Sequence, residues 1–112
     1  MKNVDKSQLK QWIDNKEDLL LINVLPQEDF QKQSIPGSIN IPFKGTDNFA
    51  KDVEQRATSK NQRIVVYCRN TQCDLSRNAA MNLEANGFTN VQAFEEGVEG
   101  WFAKGQSASV AA

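Results

Sequence analysis

The chain has 112 residues, with 13 basic side chains, 14 acidic ones and no histidine, enough for one core and with no block of either charge sign. The balance argues against nucleic acid or an anionic membrane as partner, and no apolar stretch approaches the length of a membrane span. The opening MKNVDKSQLK has no signal-peptide core, so the expected location is cytoplasmic.

Taken in order, residues 3 and 4 suggest a short edge strand, after which Asp5 or Ser7 can cap a helix with Leu9, Trp12 and Ile13 inward. Residues 19–24 read as a buried strand. Pro26 ends it and turns the chain into a short helix over 28–31. The Ile35-Pro36-Gly37 turn leads to a strand over 38–41 closed by Pro42, and residues 44–48 form a polar loop. A helix over 49–57 turns Phe49 and Val53 inward, and residues 58–62 return the chain to its centre.

That centre is RIVVYCRNTQCDLSRNAAMNLEANG, residues 63–87. Ile64, Val65, Val66 and Tyr67 are an unbroken β-branched and aromatic run, the pattern of a strand covered on both faces of a parallel sheet. Cys68 therefore stands at the carboxyl end of a central strand. Leu75, Ala79, Ala80 and Leu83 follow helical spacing, and Asn86-Gly87 supplies the stop. Residues 91–94 read as the last strand and 97–104 as a final helix using Val98, Trp101 and Phe102; Trp12 and Trp101 read as core anchors. Residues 106–112 are small and uncharged, a pattern that predicts a flexible tail behind a domain spanning 1–105. Strands alternating with helices predict an α/β fold, a mostly parallel sheet with helices on both faces.

The loop of residues 68–74 carries the candidate chemistry. Two cysteines, Cys68 and Cys73, are too few and too close for a disulfide framework. Without histidine or a second cysteine pair a zinc site is disfavoured, and no metal or cofactor is expected. The missing histidine also removes the usual general base, so a nucleophile here must ionise by local electrostatics. Backbone N–H groups of a strand-to-helix loop, together with the positive end of the helix, favour a thiolate, which predicts an activated Cys68. Arg69 and Arg77 can add to that effect or point into solvent, and Cys68 can also be read as a small buried hydrophobe closing the strand. Cys73 has three readings: a resolving thiol, a small packed side chain, or the better nucleophile because it lies nearer the helix.

The run IVVYCRNTQCDLSRNAAMNLEANGFTNVQAFEEGVEGW resembles the second half of a rhodanese-like sulfurtransferase domain, and LLINVLPQEDFQKQSIPGSINIPF resembles its first half. Together they cover residues 4–105 and imply a three-layer fold around about five strands. The resemblance implies that Cys68 takes a sulfane sulfur from a donor such as thiosulfate. It would hold that sulfur as a persulfide and pass it to cyanide or a thiol acceptor, which could belong to a protein. Arg69, Asn70, Thr71, Gln72, Cys73 and Asp74 would form the cradle for donor and persulfide, with Arg69 steering an anionic donor.

Several positions depart from the family pattern. Asn23-Val24-Leu25 stands where Asp-Val-Arg is common, so the charged pair that an arginine at position 25 could make with Asp29 is absent. Ser34 replaces a common histidine and Glu96 the first of two glycines. The loop is long and has no glycine, so Asn70, Thr71 and Asp74 are expected to adopt the positive φ values that aim amides inward. Related phosphatases and arsenate reductases place an arginine at the position of Asp74, where an acid would repel a phosphate. The competing classes are therefore a non-catalytic interaction module and a Cys68/Cys73 redox switch.

Overall fold

The computed structural model describes residues 2–45 and 48–103; the tail expected over 106–112 lies outside these residues, as does the end of the last helix at 104. The elements in chain order are β1 (Lys2–Asn3), α1 (Lys6–Asp14), β2 (Leu19–Asn23), α2 (Gln27–Lys32), β3 (Ile39–Asn40), α3 (Phe49–Arg56), β4 (Arg63–Tyr67), α4 (Leu75–Ala85), β5 (Val91–Phe94) and α5 (Gly97–Phe102). The strands form one five-stranded sheet in the order β1-β5-β4-β2-β3. Every pairing is parallel, so the expected α/β class holds and β4 lies at the centre.

A central parallel strand needs apolar side chains on both faces, and β4 supplies them. Ile64 and Val66 join Ile22, Val91 and Ala93 on one face, where α3 contributes Phe49 and Val53 and α4 contributes Ala79, Ala80 and Leu83. Val65 and Tyr67 join Leu21 and Phe94 on the other face, covered by Leu9 of α1 and Val98 of α5. Each fully buried aliphatic side chain contributes about 1.5–3 kcal/mol of hydrophobic stabilisation. Trp12 and Trp101 are half-buried at the margin of the second face: Trp101 meets Phe94 edge to face, and Arg63 stacks 4.1 Å from the Trp12 ring.

Local chemistry sets the ends of these elements. Asp5, not Ser7, caps α1 by accepting the Gln8 N–H at 2.8 Å. At the end of β2, the Asn23 carboxamide accepts the Leu25 N–H at 2.9 Å, while Asn40 donates to the carbonyls of Asn23 and Leu25. Leu25 is buried in the core. The Asn-Val-Leu departure thus closes a strand end through hydrogen bonds and packing.

The Ile35-Pro36-Gly37 turn is fastened to β4 from a distance. The buried Tyr67 hydroxyl accepts the Ile35 N–H at 3.0 Å and lies 2.8 Å from Ser38 Oγ, which donates to the Ile35 carbonyl at 2.6 Å. Among the described residues, no helix is long and apolar enough to cross a membrane.

Candidate functional site

Cys68 follows β4 directly and is 1 % exposed, so the carboxyl end of the central strand delivers its sulfur into the α3/α4 face of the core. The chain then turns back on itself. Cys73 N–H donates to the Asn70 carbonyl at 3.1 Å and Gln72 N–H to the Asn70 side-chain oxygen at 2.9 Å, which closes a turn over residues 70–73. No residue of this loop has positive φ; the non-glycine residues that do are Lys16 and Asn48 among the described ones. The expectation for Asn70, Thr71 and Asp74 is thereby corrected. An Asx turn reverses the chain with ordinary φ, so glycine is not needed. The same bonds occupy the amides of Gln72 and Cys73, two members of the expected cradle.

The electrostatics of the sulfur also differ from expectation. Burial pushes the Cys68 thiol above its ordinary pKa, and the neighbouring Cys73 side chain raises it further. The thiol donates a hydrogen bond to the Cys73 carbonyl, 3.6 Å away, a contact available only to the protonated form. Against these, the N–H and hydroxyl of Ser76 stabilise a thiolate and lower the pKa, but they do not win. The resting sulfur is therefore a neutral thiol, because the loss of water outweighs the two donors facing it.

The third contribution to the site comes from α5. The N–H groups of Val98 and Glu99 donate to the carbonyls of Cys68 and Arg69, each at 3.0 Å. This approach requires glycine at 97, where φ is +68° and a Cβ would stand 2.5 Å from the Arg69 carbonyl group and 2.7 Å from the Cys68 oxygen. Glu96, at the other glycine position of the family pattern, has helical φ and ψ and lies over Gly100, whose lack of a side chain leaves it room.

The charged residues are paired around the loop. Arg69, 49 % exposed, forms an ion pair with Asp29 at 3.2 Å, so Asp29 finds an arginine although position 25 supplies none. The arginine comes from the loop across the sheet end, not from position 25. Arg77 pairs with Asp74 and reaches Glu95 at 3.8 Å, so Asp74 lies beside a guanidinium one helical turn on. Asn70 donates to the Glu99 carboxylate at 3.0 Å. A cleft of about 480 Å³ opens between α2 and the side formed by Asn40, Pro42 and Lys44; Cys68 is not among its lining residues. Among the described residues, no group of three or more cysteines and carboxylates is placed to hold a metal ion.

Ser76 and Gly97 have roles the sequence reading missed. Ser76 is fully buried and its hydroxyl has no hydrogen-bond partner of ordinary geometry, although it acts electrostatically on the Cys68 sulfur. A signal was present: 76, 79, 80 and 83 share the inward face of α4 by helical spacing. The role of Gly97 had no local signal, since the peptide it accommodates is distant in the chain.

Comparison with known proteins places this geometry. The family described as the Rhodanese-like domain matches residues 5–104. The chain is 33% identical over 92 residues to the adenylyltransferase and sulfurtransferase UBA4 of Candida albicans, an alignment covering 80% of this chain and 20% of that protein. It is 30% identical over 95 residues to the putative sulfur carrier protein YrkF of Bacillus subtilis, with coverage of 85% and 48%. The chain thus spans about a fifth of one curated relative and about half of the other. Among solved structures, the BH2092 protein of Bacillus halodurans superposes with a TM-score of 0.77 at 27% identity, covering 89% of this chain and 70% of that one. With nearly all of the described fold matched and a cysteine at the carboxyl end of its central strand, this chain belongs to the rhodanese-like domain family.

Proposed function

We propose that this domain is a sulfurtransferase that carries a sulfane sulfur as a persulfide on Cys68. The observation that carries the reading is the position of Cys68, a thiol at the carboxyl end of β4 and at the base of a strand-to-helix loop, where ligands of open parallel sheets bind. The family and its sulfurtransferase and sulfur-carrier relatives support the same chemistry.

In the first step Cys68 gives its proton to water and the resulting thiolate attacks the outer sulfur of a donor such as thiosulfate. A sulfur–sulfur bond forms to Cys68, and sulfite leaves with the electron pair of the broken bond. In the second step cyanide or a thiol attacks the outer sulfur of the persulfide, and Cys68 departs as thiolate. Because the resting thiol is protonated and buried, the reaction requires the donor to enter above Cys68 while the Ser76 N–H and hydroxyl take up the developing negative charge. Arg69 steers an anionic donor only to the extent that it leaves Asp29, since the ion pair already engages it.

Intact-protein mass spectrometry tests the proposal. The reduced chain is treated separately with thiosulfate and with an organic persulfide, and then with cyanide. The expected result is a gain of one sulfur atom that cyanide discharges and that Cys68→Ser abolishes. Failure of the wild-type chain to gain sulfur from either donor would exclude a sulfur carrier and leave an interaction module.

A further inference from the structure

Cys73 is the one nucleophilic side chain at the site that the transfer cycle above does not use. It is only partly exposed and packs against the same core cluster as Cys68. The bond from Cys73 N–H to the Asn70 carbonyl folds residue 73 back over the strand end, and the Cys73 carbonyl receives the Cys68 thiol at 3.6 Å. A carbonyl oxygen is about 2.4 Å from its own Cα, so the Cys68 sulfur lies within about 6 Å of the Cys73 Cα. The Cys73 side chain also contributes to raising the Cys68 pKa. Cys68 is enclosed whereas Cys73 is partly exposed, and closing a short loop costs little chain entropy.

We propose that Cys73 is a resolving thiol that discharges the Cys68 persulfide within the chain, releasing hydrosulfide and leaving a Cys68–Cys73 disulfide. The inference rests on the persulfide reading of Cys68. The Cys73 thiolate attacks the inner sulfur, Sγ of Cys68, after giving its proton to water. A bond forms between the two Sγ atoms as the bond from Cys68 Sγ to the outer sulfur breaks. The electron pair leaves with the outer sulfur, which takes a proton and departs as hydrosulfide. The Cys73 sulfur is oxidised by one electron and the outer sulfur is reduced by one, while Cys68 Sγ exchanges one sulfur–sulfur bond for another. An external dithiol restores the domain by thiol–disulfide exchange. Forming the bond requires the two cysteine side chains to rotate toward each other and their Cα atoms to come within about 7 Å. The domain then has two outcomes for one loaded sulfur: transfer when an acceptor reaches the persulfide first, and hydrosulfide release when none does.

The test loads wild type, Cys73→Ser and Cys73→Ala with thiosulfate and, separately, an organic persulfide. Small molecules are removed anaerobically, and each chain is incubated without acceptor while hydrosulfide and intact mass are followed. Wild type is expected to release hydrosulfide stoichiometrically and end two hydrogens lighter than the reduced chain. Both variants are expected to retain the added sulfur on Cys68 and to release hydrosulfide at least tenfold more slowly. Wild type that keeps its added sulfur as long as the variants do would overturn the proposal while leaving Cys68 as carrier. Peptide mapping that finds the added sulfur on Cys73 would overturn it in favour of a relay. If neither wild type nor variant takes up sulfur from either donor, the carrier reading fails and the resolving step fails with it.

Discussion

The two faces of β4 treat a polar group at the strand end in opposite ways. On the face covered by α1 and α5, the Tyr67 hydroxyl is completely enclosed, accepting from Ile35 and meeting Ser38. On the face covered by α3 and α4, the next residue places a sulfur at equal depth beside a serine hydroxyl with no conventional partner. A satisfied buried network fixes one arrangement of the chain, whereas an unsatisfied group retains hydrogen-bonding capacity for something that arrives later. Tyr67 therefore fastens the fold, and Cys68 with Ser76 forms the part to which the proposed chemistry is assigned.

The most severe way to break this arrangement is to push α5 off the loop. Gly97→Ala forces a Cβ into the backbone carbonyls of Cys68 and Arg69 and strains a positive φ. It is expected to destabilise the domain by about 3 kcal/mol in urea unfolding and to impair sulfur uptake as well. A result close to wild type would show that α5 can move away without consequence.

Tyr67→Phe separates fastening from chemistry. It leaves the Ile35 N–H without its buried partner, at a cost of about 1–3 kcal/mol. Sulfur loading per folded chain should be unchanged. A loading defect in chains that remain folded would place Tyr67 in the functional half.

Ser76→Ala tests the reverse. Removing an unpartnered hydroxyl should alter stability by no more than about 0.5 kcal/mol. The thiolate loses a donor, so alkylation of Cys68 by iodoacetamide at neutral pH should slow several-fold and its pH profile should move upward, in a Cys73→Ser background that leaves one thiol.

The same burial predicts a pH signature for Cys68. Its folded-state pKa lies above the ordinary 9.0, so between the unfolded and folded values the native chain binds the extra proton. Stability from this group is complete below about pH 9 and declines as pH rises toward the folded value. Comparison of alkaline unfolding of wild type with Cys68→Ala isolates it; identical curves would contradict a dehydrated thiol.

The smallest effect belongs to the exposed pair. Asp29→Asn should cost about 0.5 kcal/mol or less, because Arg69 is half in solvent. It should nonetheless quicken uptake from thiosulfate at low salt, since Arg69 is then released. Unchanged uptake would remove Arg69 from donor steering.

Much of the fold was legible along the chain because its signals are local. The β-branched run into Cys68, the helical spacing from Leu75 to Leu83 and the Asn86-Gly87 stop each act within a few residues, and all reappear in β4 and α4. Boundaries shifted by a residue or two: β3 is confined to Ile39–Asn40, and α2 starts at Gln27, directly after Pro26. The location of the candidate nucleophile followed from the same local pattern.

What only the tertiary structure decided is how that nucleophile is held. The depth of the sulfur depends on α3 and α4 closing over it, which turned an expected thiolate into a neutral thiol. The Asp29 to Arg69 pair, the fit of Gly97 against the backbone carbonyls of Cys68 and Arg69 and the return of Cys73 over Cys68 join groups whose separation in space is set by folding. Periodicity specifies which face of an element is buried, but hydration, charge pairing and steric fit at the carboxyl end of a sheet arise only when several elements meet there.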